Sequence, residues 1–265
     1  MIHGANSDTR VIPELVSVTA PRLEWRVATV VDVRQETARA HTLVLDVPLW
    51  PGHRAGQHVD VRLVAEDGYQ AQRSYSIASA PEEETVALTV ERLEDGEVSP
   101  YLCDVLSVGK GVEVRGPIGG YFVWESNRAG RLLLVGGGSG VVPLMAMLRH
   151  RALADAAVRA SAPVRLLYSA RTRDDVIYRE ELERLAQDPD VEVTFTLTRE
   201  APADWNGYRR RIDKAMIGEV SWPPSEMTRG FVCGPTALVE SVASLLVELG
   251  HDPSRVLTER FGPTG

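Results

Sequence analysis

The chain has 265 residues, 44% of them hydrophobic and 25% charged, with a formal net charge of −8. Those proportions suit a globular chain long enough for two domains, each with its own core. The acid excess argues against nucleic acid or an anionic membrane surface as a partner, and Met1 to Arg10 is too polar for a signal segment.

Residues 1–24 read as a partly flexible extension. Residues 25–125 read as all-β: Trp25 to Val33, His41 to Val47, His58 to Val64, Arg73 to Ala78, Thr85 to Arg92 and Val112 to Arg115 are short runs rich in Val, Leu and Thr. Several alternate apolar with polar residues, the period of a half-buried strand. Asp67-Gly68, Asp95-Gly96 and Gly116-Pro117 are among the turn signals between them. Regular short strands of this kind predict an antiparallel barrel or sandwich. Ser99 followed by Pro100 predicts one short helix with the serine as N-cap.

Beyond Glu125 to Gly130, a polar connection, strands and helices alternate, so residues 126–265 form the second expected domain. The strands are Arg131–Val135, Val164–Ser169, Val191–Leu197, Gly230–Cys233 and Val256–Glu259. The helices are Val141–Arg151, Asp175–Ala186, a short one after Asp213, and Ala237–Leu249. In the last, Leu238, Val242, Leu245 and Leu249 mark the apolar face, Thr236 can cap the start and Gly250 follows the end. Such alternation predicts a parallel, Rossmann-like sheet covered by helices on both faces.

Leu132 to Leu148 is the most informative stretch: an apolar strand, the run Gly136-Gly137-Gly138-Ser139-Gly140, then an apolar helix start. A strand turning tightly into a helix presents free N–H groups and the positive helix end at one point, a ready anion site. Glycines let a ligand approach that backbone closely. A glycine turn without a ligand is the bland alternative. The stretch is shorter than the ~18 residues of a membrane span and carries Pro143 in its middle. Valine at 141 excludes a nucleophile elbow, and the lack of a following lysine excludes a Walker A loop. The spacing also departs from G-x-G-x-x-G, with Pro143 in place of the third glycine.

In a parallel α/β sheet, ligands bind beyond the carboxyl ends of the strands, where the strand order reverses. Two more loops leave such ends. Ser169-Ala170-Arg171-Thr172-Arg173 offers arginines, which suit a ribose 2′-phosphate, and Asp174 and Asp175 behind it read as helix caps. The other is Cys233-Gly234-Pro235-Thr236. The cysteines, Cys103 and Cys233, are far apart and the six histidines show no metal spacing, so no metal is expected. A reducing cytoplasm is the simplest home.

Six motifs together resemble the ferredoxin–NADP reductase superfamily, flavoproteins in which a flavin-binding barrel precedes a nicotinamide nucleotide domain. They are Arg73-Ser74-Tyr75-Ser76, Gly96-Glu97-Val98-Ser99, Gly116 to Phe122, Gly138 to Pro143, Cys233-Gly234-Pro235 and Glu259-Arg260-Phe261, in the family's order over roughly residues 25–261. The resemblance implies that Tyr75 lies against the flavin ring and that Ser76 faces its N5. Arg73 would pair with the flavin phosphates, and Gly96 and Ser99 would hold the diphosphate. Ser74, Ile77, Ala78, Val90 and Val98 complete the implied flavin set, which points to FAD, with FMN the alternative. Gly137, Gly138, Gly140 and Pro143 would admit NADPH or NADH, and Arg171 and Arg173 would take a 2′-phosphate, which favours NADPH. Cys233, Gly234 and Pro235 would lie near the nicotinamide. Glu259 matches the family's C-terminal acid, and Phe261 the aromatic that covers the flavin.

The implied function is hydride transfer from NAD(P)H to bound FAD, with Ser76, Cys233 and Glu259 at the reacting centre. Electrons would pass to a separate ferredoxin or oxygenase component, because two scattered cysteines cannot hold a fused [2Fe–2S] cluster. Arg22, Arg26, Arg34 and Arg39 are candidates for docking an acidic acceptor. A monomer is expected. The rivals are a reductase of free flavin, quinone or ferric chelates, and a redox-inactive nucleotide-binding subunit.

Overall fold

The computed structural model describes residues 23–262. The expected extension up to Arg22, and the tail after Gly262, lie outside the described residues.

Six antiparallel strands form the first sheet: β1 (Trp25–Gln35), β2 (Ala40–Asp46), β3 (His58–Val64), β4 (Gln70–Ser76), β5 (Val86–Glu91) and β6 (Gly111–Ile118). Their order is β4-β3-β6-β1-β2-β5. The two edges meet through a bridge between Ile77 and Leu88, and the Ala78 N–H donates to the Ala87 carbonyl at 2.7 Å. The sheet is therefore closed into a barrel, which removes its free edges. Alternate residues fill it, among them Val30, Leu43, Leu45, Val59, Ile77 and Leu88.

The short helix of the barrel is a π-type turn over Tyr101–Val105, with Ser99 and Pro100 already helical. Ser99 is therefore not an N-cap. Its hydroxyl accepts the Leu93 N–H at 3.0 Å and so closes the loop in front of the helix.

The second sheet is parallel, ordered β11-β10-β7-β8-β9, from β7 (Arg131–Gly137), β8 (Val164–Ala170), β9 (Val191–Leu197), β10 (Thr228–Pro235) and β11 (Val256–Phe261). Helices α1 (Val141–Leu153), α2 (Ala156–Ser161), α3 (Arg179–Leu185), α4 (Lys214–Val220) and α5 (Thr236–Glu248) flank it. The fold class is as expected, with three local corrections. The sequence reading has no α2. The helix expected over Asp175–Ala186 is broken: Arg173–Asp175 is a 3₁₀ turn, and Tyr178 stands at φ 58°, a left-handed conformation no helix interior accepts. Asp175 does act as a capping-box acid, accepting the Thr172 N–H at 3.1 Å.

The third correction concerns α5. Pro235 occupies its N-cap position, so Thr236 is the first helical residue rather than the cap. Val239, Val242 and Leu246 are its fully buried residues, while Leu238, Leu245 and Leu249 flank them half-buried. Gly250 at φ 96° ends the helix, and the His251 N–H returns to the Leu246 carbonyl at 3.0 Å.

One hydrophobic core runs through the seam between the sheets. Phe122 meets Phe231 edge-on at 5.3 Å, and Trp124 meets His150 likewise. Arg149 of α1 donates to the Ala78 carbonyl at 2.8 Å, grips Glu181 through two bonds and lies over the Tyr178 ring. The Tyr178 hydroxyl reaches into the barrel to Thr89, which bonds Thr42 at 2.7 Å. Barrel and parallel sheet are thus fastened to each other beside the crevice they share.

Candidate active site

From β7 the strand order runs one way through β8 and β9 and the other way through β10 and β11. The carboxyl ends of β7 and β10 therefore flank the switch point, where a crevice opens in folds of this kind. The glycine turn leaves β7 there and Cys233-Gly234-Pro235 ends β10. Helices α1 and α5, 13 residues each, start from these two turns. Their free N–H groups favour an anion. The Thr236 hydroxyl, at the start of α5, is buried without a partner.

The glycines of the turn do different jobs. A Cβ on Gly140 would lie 2.2 Å from the Cys233 carbonyl oxygen, and one on Gly137 would lie 2.6 Å from Leu238 Cδ1. Backbone demands the glycine at 140, whereas a side chain at 137 would require Leu238 to shift. Gly138 has φ 54°, and its nearest neighbour in that direction would be Glu91 Oε2 at 3.7 Å. It is the glycine that leaves backbone open. Pro143 is buried in the first turn of α1, where its missing N–H costs nothing.

A cavity of about 960 Å³ lies between the barrel and the parallel sheet. Arg73, Ser74, Tyr75, Ser76 and the loop Gly96 to Ser99 line it from the barrel. Gly137, Gly138, Arg171, Pro235 and Phe261 line it from the other side. Such a volume is at the upper end of small-molecule sites and suits ligands longer than one ring system. The Tyr75 ring is half-buried on this wall, and burial raises its phenol well above the usual range, so it stays neutral. A Cβ on Gly96 would be tightly placed, 2.8 Å from Ser99 Oγ and 3.2 Å from the Leu93 carbonyl oxygen.

The other expected residues are placed differently. Ile77, Ala78 and Val90 are fully buried in the packed interior, because each points inward at its position on or beside β4 and β5. The Ser74 hydroxyl is spent on Asp60 at 2.7 Å. Burial pushes that carboxyl up, but donation from Arg115 and Ser74 outweighs it and holds Asp60 below its ordinary range. Arg173 turns to Asp204 at 3.6 Å and lines a separate hollow of about 440 Å³ beside β9. Of the docking candidates, Arg34 is paired with Asp32 at 2.8 Å and Arg39 lines the cavity.

Thr89, Glu91, Thr198 and Arg211 also line the cavity and went unrecognised in the sequence. The run Arg209-Arg210-Arg211, close behind Asn206-Gly207, is the one signal that could have flagged the last of them. Arg171 and Arg211 are exposed, and among the described residues neither has a carboxylate within 4.0 Å.

Cys233 and Glu259 are neighbours in the β10–β11 register, behind the cavity wall. The thiol is buried, and burial together with the Glu259 charge raises it well above its ordinary value. That shift favours the thiol over the thiolate. Burial pushes the Glu259 carboxyl up to about 7. Its Oε2 is buried without a partner and its Oε1 lies 3.8 Å from His58 Nδ1. His58 is the β3 register partner of Ser76 on β4, which lines the cavity.

A barrel and a parallel sheet that share one cavity, with stacking, hydroxyl and guanidinium groups on one wall and a glycine turn on the other, define a two-cofactor oxidoreductase. Residues 27–123 match the family model of the oxidoreductase FAD-binding domain, and residues 134–244 that of the oxidoreductase NAD-binding domain. Ferredoxin–NADP reductase B of Sorangium cellulosum is 36% identical over 219 residues, 78% of this chain and 84% of that protein. The glycine betaine monooxygenase reductase subunit of Chromohalobacter salexigens is 35% identical over 240 residues, 88% of this chain. This chain spans 63% of that subunit's length. The crystal structure of an Amycolatopsis cytochrome P450 reductase superposes with a TM-score of 0.77 at 28% identity, over 92% of this chain and 71% of that one. The chain belongs to the ferredoxin–NADP reductase superfamily. Among the described residues no helix is long and apolar enough to cross a membrane, and no cluster could hold a metal ion.

Proposed function

We propose that this chain is a flavoprotein reductase that takes hydride from NADPH in preference to NADH and passes electrons to a separate ferredoxin or oxygenase component. The single observation that carries this is the shared cavity, which brings the Arg73, Tyr75 and Ser76 wall face to face with the Gly138 turn. Bound FAD would supply the hydride-accepting atom and the capacity to release electrons one at a time. The residues fit it: a flat aromatic, a hydroxyl, a guanidinium and a tight glycine-containing loop line one space.

The work of the chain is alignment and charge. Tyr75 and Ser76 would orient the ring, and Phe261 lines the opposite side of the cavity. Arg73, with the Glu97 and Val98 N–H groups of the loop after Gly96, would meet the diphosphate. The Gly138 turn and the starts of α1 and α5 hold the nucleotide phosphates. Arg171 and Arg211 stand free to take a 2′-phosphate, a role in which Arg211 replaces Arg173. Glu259, titrating near neutrality, holds a proton beside His58. One copy of the chain furnishes both walls, which supports a monomer. Residues 25–125 serve the flavin and 126–265 the nicotinamide nucleotide, and the two unpaired cysteines suit a reducing cytoplasm.

Anaerobic reduction of the yellow protein by NADPH and NADH in parallel tests the reading. Faster bleaching by NADPH, followed by reoxidation by an added ferredoxin, supports it. Fast turnover of free FMN with no ferredoxin reduction would make the chain a free-flavin reductase instead. A colourless protein that FAD does not restore would make it a redox-inactive subunit.

A further inference from the structure

We propose that Glu97 is a counter-charge that loosens the protein's hold on the flavin diphosphate, making FAD exchangeable. The inference rests on the reading of the cavity as a flavin site.

Glu97 Oε1 accepts the Tyr69 hydroxyl at 2.9 Å, and its Oε2 lies 3.5 Å from Arg73 Nη2. It therefore ties the hairpin between β3 and β4 to the loop that follows β5. Arg73 donates its other terminal nitrogen to the Gln72 carbonyl at 2.7 Å. The guanidinium that should meet a diphosphate is thus already engaged on both sides, and one partner is an anion. Arg92, the nearest other cation in the loop's sequence, is taken by Asp104 at 2.8 Å. Glu94 and Asp95 precede Glu97 on the same exposed loop and add to its negative charge.

The loop does not need this carboxylate for its shape. The Ser99 hydroxyl accepting the Leu93 N–H, the Gly96 N–H donating to the Leu93 carbonyl at 3.1 Å, and the tight fit of Gly96 on Ser99 close it. What Glu97 adds is charge. An incoming diphosphate must share Arg73 with it or displace it, and then meets a like charge on the loop whose N–H groups it needs. Both charges are exposed, so the effect is moderate and screened by salt.

The test dilutes the flavin-loaded 265-residue chain and follows the fluorescence of released FAD, in wild type, Glu97→Gln, Arg73→Gln and the double variant. Glutamine keeps an acceptor for Tyr69 and removes the charge. Glu97→Gln is expected to bind FAD about threefold to tenfold more tightly at low salt, with the gain shrinking at high salt. The gain should be smaller in the Arg73→Gln background, where there is no guanidinium to release, and absent for riboflavin, which has no phosphate. Unchanged or weaker FAD binding by Glu97→Gln overturns the proposal, as does an equal gain for riboflavin. If wild type itself binds no FAD, the proposed function fails instead.

Discussion

Glu259 and His58 face each other across the seam between β11 and β3, 3.8 Å apart, and the second Glu259 oxygen is buried with nothing to bond. Burial dominates this carboxyl and raises it to about 7 from an ordinary 4.5. The folded chain therefore binds a proton that the unfolded chain has lost between those pH values. Stability from this group is present below pH 4.5 and disappears as pH rises through 7. The shift corresponds to about 3 kcal/mol, and its 27% exposure trims that to about 2 kcal/mol. His58, whose basicity burial lowers, contributes a slope of the opposite sign near its own titration, and Cys233 titrates far above this range. Comparison with Glu259→Gln isolates the carboxyl: urea unfolding at pH 5 and pH 8 should show the variant gaining about 2 kcal/mol on wild type at the higher pH. An equal difference at both pH values would show that Glu259 does not titrate there.

Gly138 and Gly140 should separate binding from folding. Alanine at 140 drives its Cβ into the Cys233 carbonyl at 2.2 Å, and backbone on both sides leaves nothing cheap to move. A loss of about 3 kcal/mol or more is expected, some 6 to 12 °C in melting temperature. Alanine at 138 meets only an ordinary contact, Glu91 Oε2 at 3.7 Å, and costs about 1 kcal/mol for its left-handed backbone. Its methyl group instead occupies the approach to the turn. Gly138→Ala should fold, keep its flavin and raise KM for the nicotinamide nucleotide. Thermal melts beside steady-state kinetics distinguish the two, and a Gly140→Ala protein as stable as Gly138→Ala would contradict this account.

The seam gives a third expectation. Arg149 joins α1, the Ala78 carbonyl and Glu181, with a side chain only 16% exposed. Truncation to alanine strands both acceptors in a part-buried place, and should cost about 3 kcal/mol. Tyr178→Phe removes only the hydroxyl that reaches Thr89; Thr89 and Thr42 still satisfy each other, so about 1 kcal/mol is expected. Denaturant midpoints for the two variants should keep that order.

Much of this fold was legible because its strands end where their chemistry changes. His58–Val64 and Val191–Leu197 begin and end as the apolar pattern says, bounded by turn residues or acids. Tyr178 was not legible: nothing in a tyrosine announces φ 58°, which is imposed by the hydroxyl reaching into the barrel and the ring lying under Arg149. The site was legible as motifs and opaque as geometry. The glycine run marked the turn, but only the packing of Cys233 and Leu238 shows which glycine is open. Two residues apart on one loop, Arg171 and Arg173 read alike; Asp204, from a loop 30 residues on, pulls one out of the cavity. Arg211 enters from that later loop, and its place on the wall depends on the strand order.

Arg171 and Arg211 carry the last prediction. Both line the cavity, both are exposed, and neither faces a carboxylate within 4.0 Å among the described residues. Arg73, on the opposite wall, is already engaged by Glu97. Under the proposed function, these two unengaged guanidinium groups on one cavity would meet the 2′-phosphate of NADPH. The NADH ribose offers hydroxyls that need no cation. Replacing either arginine with glutamine should lower kcat/KM for NADPH by about tenfold to a hundredfold and leave NADH within about threefold, since a charge-assisted contact contributes about 1.5–3 kcal/mol. The double variant should lose most of the preference. Arg173→Gln should change neither nucleotide, because that side chain lines the separate hollow beside β9 and not the cavity. Equal losses with both nucleotides would mean that these arginines hold the diphosphate. A large effect of Arg173→Gln on NADPH alone would return the 2′-phosphate to the loop position that the sequence first suggested.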